Sequence, residues 1–439
     1  MQKKVTFVII PYKKRINEAT IKANKLIMAK SFWKLILFIV VISQLIGCGV
    51  REPDFPERPG RVVKVANEEE LALAILNAES HETILIEDGI YILKQSLVIE
   101  NKAHLTLRSS SGDSSKVVLQ GDGWSDFYHR ERKENDPADL IVIRNSEDIF
   151  IADLTIREVS HYGIKLDTET KAVKSNLKDI NIFRCHFLNI GTRAFKGTAA
   201  KDRKHLVGGS VSYCIFENTK MPDTSWLYNG DYISAIDMMY LDNWVFSDNI
   251  FRNIRGANGG GRGAIFVWNQ CRNIVVERNI FVGCDRSIAF GNPSEPTYYE
   301  PGTLHNYDGI IRNNFIVAGD RQGKGIEVVW ADNIQVCNNT IYATDPEYQA
   351  IHYFQKISRL FIANNLVRGR IYGEGEGVLS EANLTGDMEG YFVNPVTGDL
   401  HLTKLAKAAL GKGLQISTVR DDIDRQKRKK HPDTGADQR

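Results

Sequence analysis

The sequence predicts an all-β chain wound as one right-handed parallel β-helix, a single-stranded β-solenoid with an N-terminal capping helix. Three observations predict it. One short motif returns eight times at a mean spacing of about 30 residues, within the range of repeat architectures. Each repeat holds short β-rich runs and turns with no long helical pattern, which excludes leucine-rich and helical solenoids. An amphipathic segment precedes the repeats, and an uncovered end would expose strand edges and apolar core.

At the N-terminus, residues 35–47 (LILFIVVISQLIG) form an apolar run that ends at Cys48. The run is too short for a bilayer span, which takes about 20 residues, and suits a signal-peptide core. Leu45-Ile46-Gly47-Cys48 resembles the bacterial lipobox, which implies cleavage before Cys48, acylation of its thiol and a membrane anchor on an exported protein. Gly49 stands where an inner-membrane retention signal has Asp, so the outer membrane or cell surface is expected in a Gram-negative cell. Met28–Lys34 makes an ordinary basic leader. Residues 1–27 are therefore read as a wrongly assigned extension, 28–47 as the signal peptide and 48–61, rich in Pro and charge, as a tether.

Residues 62–80 are expected to cap the helix. Asn67 is placed to cap ELALAILNAE, and Glu70 to complete a capping box. The β-helix then runs to residue 400, and 401–439 form a closing segment and polar tail. Its repeats read IFIADLTI, INIFRCHF, VSYCIF, WVFSDNIF, IVVERNIF, GIIRNNFI, IQVCNNTI and LFIANNLV. The bend residues are Asp153, Cys185, Cys214, Asn249, Asn279, Asn314, Asn339 and Asn365. Asparagine tolerates the left-handed backbone of a bend, and its amide can bond the same amide one coil on, about 4.8 Å away. Cys185 and Cys214 are read as small buried packers, with a disulfide between them as the rival.

A second strand family reads GIKLD, AFKGT, AIDMM, AIFVW, SIAFG, GIEVV and AIHYF. Alternation sends Ile164, Phe195, Ile236, Ile265, Ile288, Ile326 and Ile351 inward. It sends Lys165, Lys196, Asp237, Phe266, Ala289, Glu327 and His352 outward, with Trp268 two residues beyond Phe266. Long connections at 219–233, 255–263 and 292–308 flank this outward face and carry Trp226, Tyr228, Tyr298 and Tyr299, whose rings suit sugar faces.

With 56 basic and 54 acidic side chains the net charge is +2, which gives no case for nucleic-acid binding. The six cysteines include no CxxC pair, so neither a zinc site nor a thioredoxin-like motif is suggested.

From about 62 to 400 the chain resembles the pectate-lyase-like superfamily of right-handed β-helix proteins, through its Asn-bearing coils and the opening ETILIEDGIYIL. NPVTGDLHL, DDIDRQKR and PDTGAD resemble the closing segment of secreted bacterial members. The resemblance implies a polysaccharide partner and, among lyases, polygalacturonases and epimerases, no particular activity. Neither the polygalacturonase pattern of paired aspartates with Gly-His-Gly nor the pectate-lyase WiDH and RxPxxR patterns occurs, so no catalytic residue is carried over.

Geometry offers candidates instead. Lys165 and Lys196 should be neighbours about 5 Å apart on adjacent coils, and like charges that close push one lysine toward a useful base. A uronate lyase needs a base for the C5 proton and cations or a metal for the enolate-like carboxylate. Lys196, Lys165, Arg262 and Asp237 are the catalytic candidates. Phe266, Trp268, Trp226, Tyr228, Tyr298, Tyr299, Arg286 and His352 are the substrate-binding candidates. Asp237, Asp285 and Glu327 supply oxygens of the kind Ca²⁺ prefers. Elimination on an acidic polysaccharide is the leading expectation; a non-catalytic glycan-binding scaffold, and a hydrolase or uronate epimerase, are the alternatives. A hydrolase needs two carboxyls about 5–9.5 Å apart. Asp237 and Glu327, three coils apart, should be separated by roughly 14 Å.

Overall fold

A computed structural model describes residues 53–129, 137–168, 177–198, 205–296, 302–319 and 323–439. The expected signal peptide and the lipidation site Cys48 lie outside these residues, as do Tyr298 and Tyr299.

Each coil contributes three short strands, and every strand pairs in parallel with its equivalent on the next coil. Asp139–Arg144, Glu147–Ala152 and Thr155–Val159 make one coil; Tyr162–Leu166, Lys178–Phe183 and His186–Ile190 make the next. Continued along the chain, this gives parallel sheets of 23 and 11 strands. The inward residues Ile164, Phe195, Ile236, Ile265, Ile288, Ile326 and Ile351 are fully buried in one continuous core. Phe187, Phe216, Phe251 and Phe281 stack beneath the smaller sheet at 4.7–4.9 Å between ring centroids.

The asparagine ladder is present, with a corrected register. The left-handed residue of each bend is the one before the ladder position: Arg184, Tyr213, Asp248, Arg278, Asn313, Asn338 and Asn364. Asp153 belongs to this left-handed row, and Leu154 takes the ladder position of its coil. The ladder asparagines serve as hydrogen-bonding rungs. Each carboxamide oxygen accepts both the backbone N–H and the Nδ2 of the rung before it. Asn249 donates so to Asn279 at 3.0 and 3.0 Å, and Asn279 to Asn314 at 3.0 and 3.0 Å. The other Nδ2 proton goes to a strand carbonyl of the preceding coil, as from Asn279 to Phe246 at 2.9 Å. The series extends one rung beyond the expected set, from Asn365 to Asn383. Cys185 and Cys214 are buried free thiols on the same row, and Cys214 Sγ accepts the Cys185 amide at 3.4 Å.

The helix Glu68–Asn77 covers the first coil with Leu71 and Ile75. Asn67 accepts the Glu70 amide, while Glu70 reaches one residue further back than a simple box, to the Ala66 amide at 2.8 Å. Arg61–Val65, expected as part of the cap, is a strand paired in parallel with Glu82–Ile86. Residues ahead of it lie along the sheet: Phe55 packs edge-on against Phe150 at 5.1 Å, and Arg58 forks onto Asp148 at 2.9 and 2.7 Å. At the other end, residues 432–438 are buried against the left-handed row. Asn313, Asn338 and Asn364 donate to the carbonyls of Asp421, Gly435 and Leu414.

Asn279→Leu tests the ladder. It strips the Asn249 amide and Nδ2 of their acceptor inside the core, and a loss of about 1–3 kcal/mol is expected. Urea unfolding reads it; an unchanged midpoint would mean that the rung carries no stability.

Candidate functional site

The outward column is in the expected order. Lys165, Lys196, Asp237, Phe266, Ala289, Glu327 and His352 face each other strand to strand, and Tyr372 continues the column. Strand spacing therefore sets every separation along it.

The expected lysine pair does not stand as two bare charges. Lys196 Nζ lies 2.9 Å from Asp237, and Lys165 Nζ lies 3.8 Å from both Asp139 and Asp167. Both lysines are thus tied into ion pairs with carboxylates. Asp237 is the hub of this first cluster. It is 2% exposed and accepts from Arg193 Nε at 2.6 Å and Trp268 Nε1 at 3.0 Å as well as from Lys196. Burial alone would raise its pKa, but the Lys196 and Arg193 charges outweigh that and hold its carboxyl well below the usual carboxylate range. Arg193, 1% exposed, also donates to the Tyr232 carbonyl at 2.6 Å and lies 4.0 Å over the Tyr232 ring.

Phe266 and Trp268 were expected as outward aromatics that need a cover. Phe266 is buried, and its cover is Trp268, stacked on it at 5.3 Å between centroids. The indole N–H is committed to Asp237, so Trp268 organises the cluster and offers only part of its face to a ligand. In the 219–233 connection, Trp226 is half-buried against Trp124, whereas Tyr228 is exposed with the Arg262 guanidinium 5.4 Å over its ring.

A second cluster gathers further along the column around Glu327, which is fully buried. Arg286 NH1 is 3.1 Å from it, Lys324 contacts it, and His352 Nδ1 is 3.9 Å away. The His352 ring stacks on Phe354 at 4.6 Å and Tyr372 at 4.5 Å. Burial and the Lys324 charge lower its pKa. The Arg262 backbone carbonyl accepts from Arg286 at 3.4 Å, while its guanidinium lies over the Tyr228 ring.

The three carboxylates considered for Ca²⁺ do not converge. Asp237 and Glu327 sit in separate cation clusters three coils apart, and Asp285 accepts the Gly256 and Gly261 amides at 2.7 and 3.1 Å. That bond, with Asp231 accepting from Asn258 and Gly260, fixes the glycine-rich 255–263 connection. A Cβ at position 256 would lie 2.3 Å from Asp231 Oδ1, hence glycine there. Among the described residues, the one set of three or more His, Cys, Asp or Glu with ligand atoms within 4.8 Å is His401, Asp424 and Asp437, in the C-terminal segment.

Sequence reasoning missed Arg193, Asp139, Tyr128, Tyr232 and Lys324, and gave His161 no weight. His161 lies with its ring between Phe127, at 3.8 Å, and Tyr162, at 3.5 Å. His161 and Arg193 fall just before or at the first position of a strand, where alternation does not yet assign a face. His305 is structural: it accepts the Asn269 amide and bonds the Ser294 carbonyl, and burial pushes its pKa down to about 4.

No family model and no curated protein matches this sequence. Among solved structures the chain is similar to pectate lyase Pel9A, at 10% identity and a TM-score of 0.50, over 90% of this chain and 98% of that one. It is also similar to an alginate lyase from Paenibacillus sp. str. FPU-7, at 13% identity and a TM-score of 0.42, over 72% of this chain and 99% of that one. A tailspike protein of E. coli bacteriophage HK620, in complex with a pentasaccharide, matches at 14% identity and a TM-score of 0.45, over 76% of this chain and 60% of that one. The chain is a right-handed parallel β-helix. The likeness to Pel9A, at 10% identity, shows the fold alone, and the chemistry of the β-helix has to come from its own side chains.

Asp237→Asn should cost about 3–5 kcal/mol, because it leaves Arg193 and Lys196 buried without their counter-charge. The pH dependence has a definite sign. A carboxyl with a depressed folded pKa contributes stability that is in place above its unfolded value of about 3.9 and is withdrawn as pH falls below it. Urea unfolding of wild type and variant between neutral and acid pH reads both effects. Equal stability at neutral pH would mean that the cluster is solvated.

Proposed function

We propose that this β-helix acts on an acidic polysaccharide laid along the outward column, and that it cleaves uronate linkages by β-elimination. The observation that carries the proposal is the grouping of cations there. In the first cluster Arg144, Lys165, Arg193 and Lys196 face Asp139, Asp167 and Asp237; in the second Arg262, Arg286 and Lys324 face Glu327 and Asp285. Among the described residues cations outnumber carboxylates in both clusters, a balance that suits an anionic ligand. Arg144 and Lys165 of the first cluster are 30% and 21% exposed, and Lys324 of the second is 25% exposed. A uronate carboxylate against Lys165 and Lys196 would be neutralised as the C5 proton leaves, which is where a lyase needs preorganised charge. The carboxylates hold these cations in place. They are themselves consumed in ion pairs, which disfavours the two-carboxylate hydrolase.

The sequence carries a further part of the proposal: export, and attachment to a membrane through a lipid on Cys48. Cys48→Ala should move the protein from the membrane fraction to the soluble one; retention in the membrane would remove the anchor.

The activity test is incubation with polygalacturonate, alginate and chondroitin sulfate, followed by ultraviolet absorbance of the unsaturated product. Lys165→Ala and Lys196→Ala should each lower kcat by about 10²-fold or more, the scale of one lost transition-state donor, with a smaller change in KM. Trp268→Ala should weaken binding and loosen Asp237. Binding of a polymer without product would establish the glycan-binding scaffold instead.

A further inference from the structure

The cations of the first cluster leave the proton transfer unassigned, since each ladder lysine is tied into an ion pair with a carboxylate. Beside them runs a hydrogen-bonded chain from solvent to the sheet. Tyr128 Oη is 3.1 Å from His161 Nε2, and His161 Nδ1 is 2.7 Å from Asp139 Oδ1. The imidazole is clamped between Phe127 and Tyr162, and the second Asp139 oxygen lies 3.8 Å from Lys165 Nζ. Tyr128 is 40% exposed, and its ring meets that of Tyr232 at 6.0 Å, the same Tyr232 that holds Arg193. The chain therefore opens beside the cluster proposed to hold the uronate carboxylate.

The tautomer follows from the partners. With a carboxylate at Nδ1, neutral imidazole carries its proton there and presents the Nε2 lone pair to the Tyr128 hydroxyl. The phenolic oxygen accepts a hydrogen bond from Tyr162 and keeps one lone pair for a ligand. A hydroxyl bonded to an imidazole that is oriented in turn by a carboxylate is the arrangement that activates a weak oxygen base.

Resting on the elimination reading, we infer that Tyr128 is the catalytic proton carrier, working through His161 and Asp139 as positioning residues. The C5–H bond of the bound uronate breaks, and its proton passes to Tyr128 Oη as the phenolic proton moves to His161 Nε2. The C–H electron pair becomes the C4–C5 double bond, and the C4–O4 bond breaks. The Tyr128 proton then goes to O4, and His161 returns its proton to Tyr128, so the protein ends as it began. Burial holds the phenol pKa up to about 12, and coupling the two transfers removes the need for a free phenolate. Burial lowers the His161 pKa, against the raising effect of Asp139, while Lys165 and Arg193 lower it further; Tyr128 and Tyr162 are the other titratable groups on it. Neutral His161 is therefore the form at neutral pH.

Tyr128→Phe keeps the ring and removes the oxygen. With the full chain and whichever of polygalacturonate, alginate or chondroitin sulfate the wild type cleaves, kcat should fall by about 10²–10⁴-fold, with KM within about threefold and an unchanged unfolding midpoint. The acid limb of the wild-type kcat/KM profile should lie below pH 6.5, the ordinary histidine value. Asp139→Asn should lower kcat and displace that limb, which a purely structural role would not do. Product formed equally by wild type and Tyr128→Phe overturns the relay and leaves elimination standing. Polymer bound by wild type with no product from any of the three overturns elimination, and the relay with it.

Discussion

Each coil of this protein has to sit one strand spacing above the last, and the ladder of side-chain amides makes that spacing specific. Backbone pairing alone would tolerate a slip, because one parallel coil resembles the next. A rung that slipped would leave a carboxamide and a backbone N–H unpartnered inside the core, at a cost of about 1–3 kcal/mol for each group. From Asn249 to Asn383 the rungs are joined in series, and from Asn279 on each oxygen takes two donors from the previous coil. The isoleucine column inside and the charged column outside inherit their alignment from this register.

The outward column shows what that alignment does to charge. Successive coils force Lys165, Lys196 and Asp237 into neighbouring positions, and loops and aromatic rings then take Lys196 and Asp237 out of water. A buried charge survives only when paired and hydrogen-bonded. Asp237 meets that condition with Lys196, Arg193 and Trp268 together, and Glu327 meets it with Arg286 and Lys324. The cost of desolvation is repaid as order. Long cationic side chains that would roam on an open sheet are held at fixed points, which is the condition for electrostatic recognition of a fixed anion.

Both ends of the described chain use the same flank. Arg184, in the left-handed row, donates to the Pro53 carbonyl, and Arg425 of the closing segment reaches Tyr213 and Asp248 on that row. Left-handed bends turn polar side chains and carbonyls outward, and the terminal segments satisfy them. The face with the two cation clusters is left to the long connections.

The sequence by itself determined the solenoid, its repeat, the capping helix and the inward and outward columns, because a strand period of two and a coil period near 30 are both written in one dimension. It also brought out the neighbours Lys165, Lys196 and Asp237, since register converts repeat spacing into distance. It misplaced the left-handed residue by one position and put Asp153 on the wrong row, because Asp, Asn and Arg all occupy that bend and the motif does not say which of two polar neighbours turns. It did not identify the cover of Phe266, because burial of one outward ring by another is invisible along the chain. Only the tertiary structure decided that Arg193 completes the Asp237 cluster and that Tyr128, His161 and Asp139 meet. Those residues come from a connection, a strand edge and a strand of a different coil. Their meeting depends on how the loops fold back over the sheet, and no periodicity encodes that.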